Sequence, residues 1–125
     1  MKTIKLILLA LCFVAASPAA TITESERLDI VDQIHTEFLS AVSYLGMLDP
    51  GLTQAYWTGF VYGVYVTEAL ADAFNVANDT STLTADMDSW GNVFATAAQN
   101  ATDDPTIYYS WGAWAGVQDG RSFVP

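Results

Sequence analysis

The run AYWTGFVYGVYVTEALA, residues Ala55 to Ala71, decides how this chain folds. Its aromatic and β-branched side chains favour a strand. Its small residues favour a helix: Ala55, Gly59, Gly63, Thr67 and Ala71 recur every four positions. On a helix such residues fall along one inclined row, and a row without bulk lets another helix backbone approach closely. Glycine in a helix interior costs about 1 kcal/mol relative to alanine. Two glycines four apart therefore call for a compensating contact, which close packing supplies. Spacing outweighs composition, and the segment reads as a helix.

A second row, Gly112, Gly116 and Gly120, repeats the spacing, with Gly120 expected just past the end of its helix. The two rows are expected to meet, flanked by Trp57, Phe60, Trp111 and Trp114. Residues Tyr56 to Val64 and Tyr109 to Val117 also share Tyr-x-x-Gly-x-x-x-Gly-Val. Two related helical hairpins would produce this echo, but four shared residues over nine do not separate it from coincidence.

A membrane helix is the competing reading of the opening run. The eighteen residues from Pro50 to Thr67 carry no charge, close to the lower limit of about 17 for a span. They include Pro50, Gly51, Thr53, Gln54, Thr58 and Thr67, and no basic residue flanks them to set a topology. The Gly-x-x-x-Gly pattern signals membrane dimerisation only inside a strongly apolar segment. Membrane insertion is therefore not expected.

Outward from this helix, three others are legible. The first starts at Thr23 with Glu26 three residues on, a capping-box signature. Val31, Ile34, Phe38, Ala41, Leu45 and Leu48 form its apolar stripe, with Asp29, Asp32 and Glu37 off it, and Gly46 and Pro50 mark its end. The opening helix should begin at Asp49-Pro50, as N-cap and first helical residue, and run to about Val76. A polar loop is expected over 75–82. The third helix follows a Thr84 cap, with Asp86 and Asp88 in its first turn and Leu83, Met87, Trp90, Phe94, Ala97 and Ala101 as its stripe. The fourth opens at Asp104-Pro105 and runs to about Gln118, leaving a loose tail from Asp119 onto which Phe123 can pack back.

Before all of this stands a leader. Lys2 and Lys5 precede an apolar stretch from Ile7 to Ala16, and Ser17-Pro18-Ala19 offers small residues for cleavage after Ala19. Residues 20–125 would then form a single domain that is secreted, extracellular or at the cell surface. The lone cysteine, Cys12, lies in the leader, so the mature domain would hold together without disulfides. It would keep only Arg27 and Arg121 against fourteen carboxylates, a formal charge of −12. That balance makes nucleic acid and anionic membrane surfaces poor partners, since phosphate neutralisation needs Lys or Arg, and no nucleic-acid partner is expected. The start of the mature chain, with Glu26, Leu28, Ile30, Ile34 and Phe38, resembles the yeast seripauperin and cold-shock mannoprotein family. That family's Pro-Trp-Tyr motif and serine-rich tail have no counterpart here, and the chain is not assigned to it.

Catalytic chemistry finds little footing. His35 is the only histidine and no nucleophile-elbow pattern accompanies it. One histidine and no mature cysteine leave no zinc site. Asp86-x-Asp88 starts like a calcium loop, but Trp90 and Gly91 break the required order of ligands. Glu68 and Asp72, four apart, read as a solvent-facing pair. No catalytic residue, cofactor or metal is therefore expected.

The aromatic side chains remain as a candidate ligand or partner surface: Trp57, Tyr62, Tyr65, Tyr108, Tyr109, Trp111 and Trp114. Two Asn-x-Thr sequons, at Asn78 and Asn100, are possible glycosylation sites. The expected fold is all-α, a small antiparallel bundle of four helices after a cleaved signal peptide. The expected role is binding or structural interaction with a protein or cell-wall partner. The alternatives are a carrier of an apolar small molecule in an aromatic-lined bundle cavity, or a membrane-active factor.

Overall fold

The computed structural model describes residues 21–73 and 80–125; the leader and the sequon at Asn78 lie outside them. Four helices make up the fold: α1, Glu24–Leu45; α2, Leu52–Ala73; α3, Thr80–Asn100; and α4, Asp104–Arg121. The chain is all-α, and successive helices run in opposite directions. Arg27 meets the end of α2 at the Asp72 carbonyl, and Tyr44 meets its beginning at Trp57. Arg121 pairs with Asp88, while Gly91 lies beside Trp114, Val117 and Gln118. Two antiparallel hairpins result, α1–α2 and α3–α4.

They join through α2 and α4, which run parallel, and the two glycine rows form the seam. A Cβ built at Gly59 would overlap the Tyr109 carbonyl oxygen, and one at Gly63 would overlap that of Ala113. Reciprocally, a Cβ at Gly112 would overlap the Tyr56 carbonyl oxygen, and one at Gly116 that of Phe60. Gly120 lies within α4, where its missing side chain leaves room for the fully buried Thr67. The Thr67 hydroxyl is satisfied by donating to the Val64 carbonyl at 2.7 Å.

These contacts are isologous. Gly59 and Gly112 are 53 residues apart, as are Gly63 and Gly116, and so are their carbonyl partners Tyr56 and Tyr109. The same offset carries the buried Ile30, Ile34 and Ala41 of α1 onto the buried Leu83, Met87 and Phe94 of α3. It also carries the polar pair His35–Glu68, 3.0 Å, onto the ion pair Asp88–Arg121, 2.6 Å. The two hairpins are thus related by an approximate two-fold axis along the α2–α4 seam. Ile34, Val64, Leu83, Met87 and Val117 fill the core at full burial.

Several expected boundaries shift. The α2 helix starts at Leu52 rather than at Asp49-Pro50, with the Gly51 carbonyl accepting from Ala55 at 3.0 Å. It is described to Ala73, and the extension expected to Val76 lies outside the described residues. The α3 helix includes 80–82, so Thr84 is an interior residue. Its hydroxyl donates back to the Thr80 carbonyl at 2.8 Å, as threonines inside helices do. Asp86 and Asp88 are consequently not first-turn residues. The buried stripe of α3 runs through Gly91 and Ala98, while Trp90 and Ala97 are exposed. The α4 helix is capped by Asp103, which accepts from Thr106 N at 3.1 Å, and it reaches Arg121. Asp119 is therefore helical, and Phe123 and Val124 fold back onto the core.

Candidate ligand groove

Because α2 and α4 lie so close, α1 and α4 face each other across a groove instead of packing. At one end is a cleft of ≈ 240 Å³ lined by Glu37, Ser40, Ala41 and Tyr44 of α1, Trp57 and Phe60 of α2, and Asp119 of α4. An adjoining depression of ≈ 290 Å³ shares Glu37 and Ser40 and adds Asp32, Gln33, Thr36 and Phe123. The aromatic wall is ordered by its own contacts. The Trp57 ring meets Tyr44 edge-on at 4.8 Å and tilts against Phe60 at 4.7 Å between centroids.

Two carboxyls from different helices meet at the head of the cleft. Asp119 Oδ2 is out of solvent and has no hydrogen-bond donor among the described protein groups. Burial first, then hydrogen bonding to Glu37, then the Glu37 charge, push the Asp119 carboxyl up to about 7. Asp119 thus holds its proton near neutrality.

The residues singled out by sequence fall into separate places. Trp57 is half-buried in the groove. Tyr62, Tyr65 and Tyr109 form a stacked cluster on another face, with centroids 6.4 and 6.5 Å from Tyr62, which also meets Phe94 edge-on. Burial, with Tyr62 as neighbour, raises the Tyr109 phenol above its usual range. Trp111 and Trp114 make a T-shaped pair on α4, Trp114 beside Gly91 of α3, and Tyr108 is exposed. Ala55 belongs to a further open cleft with Thr58, Pro105, Thr106 and Tyr109. Asn100 is exposed at the last residue of α3.

Sequence reasoning missed the carboxyl pair. Glu37 sat off the apolar stripe and Asp119 was expected in a loose tail. The signal was Gly120: read as a third rung of the ridge inside the helix, it keeps α4 running through Asp119. Glu68 is another correction. It does not simply face solvent, because its side chain is 22 % exposed and accepts from His35 Nδ1. Among the described residues no helix is long and apolar enough to cross a membrane, and no group of three or more His, Cys, Asp or Glu is placed to hold a metal ion. Comparison with protein-family models, curated proteins and solved structures gives no match to this chain.

Proposed function

We propose that the chain is an acidic secreted binding protein without a catalytic step, and that it holds a small, partly apolar ligand in the α1–α4 groove. The observation that carries this reading is the difference between two equivalent grooves. The offset of 53 residues matches Glu37 with Trp90 and Asp119 with Val66, so the α3–α2 groove has apolar residues where the α1–α4 groove has carboxyls. Val66 is buried there, and Trp90 packs on Phe94 with centroids 5.9 Å apart. The α1–α4 copy holds an open cleft with carboxyls at its head, and the other copy carries Trp90 and Val66 at the equivalent positions. A cleft walled by aromatic side chains with a few polar groups at one end is the form a small-molecule site takes.

The test is a thermal-shift screen of small aromatic and aliphatic compounds on the mature chain, followed by NMR mapping. A ligand should raise the melting temperature and shift the Trp57 indole and Ala41 resonances. Ligands that perturb only other faces would overturn the assignment.

Interaction with a protein or cell-wall partner is the second reading, favoured by the Tyr62–Tyr65 stack, of which Tyr65 is 51 % exposed. It expects Tyr65→Ala to abolish capture of such a partner while leaving the fold intact.

A further inference from the structure

We infer that the groove takes an organic cation: an amine whose nitrogen sits between Glu37 and Asp119 and whose apolar body lies along Tyr44, Trp57 and Phe60. The inference rests on the groove being the ligand site, and it names the class of ligand. The head of the cleft offers two carboxyls and no basic side chain. Asp119 Oδ2 lacks a donor there, and a buried acceptor left unsatisfied is costly. An ammonium group carries N–H donors for both carboxyls at once and gives the orphaned Asp119 oxygen a partner. Its charge is also attracted by the faces of neighbouring aromatic rings, and here Trp57, Tyr44 and Phe60 line the same cleft.

Other ligand classes fit less well. A neutral apolar compound would cover the Asp119 oxygen without pairing it. An anion would meet two carboxyls and, through Asp32, a third at the adjoining depression. A bare divalent ion favours six or more oxygen ligands, and among the described residues no group of three candidate side chains converges. The sequence-wide charge adds to the preference, since an excess of fourteen carboxylates over four basic residues raises the local concentration of cations. The counterpart groove supports the same reading. Where Trp90 and Val66 stand at the positions of the carboxyls, a cationic group has no partner.

The experiment compares three ligands of like shape on the mature chain: phenethylamine, 2-phenylethanol and phenylacetate. Calorimetry and NMR should show the amine binding about tenfold tighter than the alcohol, with the carboxylate binding weakest. Glu37→Gln and Asp119→Asn should each remove most of that advantage while leaving alcohol binding unchanged. Trp57→Ala should weaken amine and alcohol alike, and circular dichroism of each variant checks the fold. Equal binding of amine and alcohol at the Trp57 resonance would overturn the cation assignment while leaving the groove as a site. Amine binding that survives both carboxamide variants would also overturn it, placing the amine elsewhere. Failure of all three compounds to move the Trp57 indole signal would overturn the groove reading itself.

Discussion

At the scale of single residues, the seam glycines and Asp119 make the sharpest claims. Alanine in place of glycine normally favours a helix by about 1 kcal/mol, so the sign of each substitution depends on the space around it. A Cβ at Gly59 would also lie 2.8 Å from the Tyr109 carbonyl carbon and 2.9 Å from Ala113 N, and backbone cannot step aside as a side chain can. Gly59→Ala is expected to destabilise by about 2 kcal/mol or more, as overpacking does, and Gly112→Ala by a similar amount because the contact is reciprocal. Gly46→Ala is the control: its nearest neighbours are carbonyl oxygens at 3.5 and 3.7 Å and its backbone is helical, so it should be neutral or stabilise by up to ~1 kcal/mol. Urea denaturation of the three variants decides the matter, and equal effects at Gly59 and Gly46 would refute the seam.

Asp119 adds a prediction in pH. Its folded-state value is raised from 3.8 to about 7, so the folded chain holds a proton that the unfolded chain has released. The resulting stability is fully present below 3.8 and is lost as pH rises through about 7. Glu37 is the titratable group facing it from α1, while α2 presents only Trp57 and Phe60 to that cleft. The melting temperature of the native chain should therefore fall more steeply from pH 4 to pH 7 than that of Asp119→Asn. Parallel curves would show that Asp119 is not the group responsible.

At the scale of elements, legibility followed local chemistry. The start of α1 could be read because a capping box is written within four residues. Thr23 Oγ1 accepts from Glu26 N, and Glu26 Oε1 accepts from Thr23 N, each at 3.1 Å. Thr23→Ala removes the hydroxyl acceptor of this box and should cost about 1 kcal/mol, seen as lost amide protection confined to the first turn of α1. Fraying that spreads into α2 would mean the cap is coupled to the hairpin. The starts of α2 and α3 were misplaced because several nearby residues are equally able to begin a helix. Asp49 and Thr84 both look like caps in one dimension, and only packing decides against them. The stripe of α3 slipped for the same reason: Trp90 is the more apolar residue, but Gly91 is the one with room to lie against α4.

At the scale of the whole molecule, the ridge was legible and the symmetry was not. Spacing alone shows that Gly59 and Gly63 share one row and Gly112 and Gly116 another. The kinship of the hairpins survives at the seam because only there does the backbone contact itself forbid change. Elsewhere the equivalent positions need only be buried, so Ile34 can face Met87 across the axis and His35–Glu68 can stand for Asp88–Arg121 without a common residue. The groove was illegible because it arises from a difference between halves whose relation could not be established from sequence. That difference also defines the last test. Glu37→Trp together with Asp119→Val copies the apolar pair Trp90 and Val66 into the open groove. If the two grooves are alternative states of one design, the double variant should close the cleft and bury new apolar surface. At roughly 25 cal/mol per Å² this should stabilise the fold by about 1–3 kcal/mol, and the gain should be largest near neutral pH, where the carboxyl pair is least favourable. Ligand-induced shifts at Trp57 should vanish in the same variant. A double variant that is less stable than the native chain would show that the carboxyl pair is part of the fold's own support, and that the hairpins diverged for packing rather than for binding.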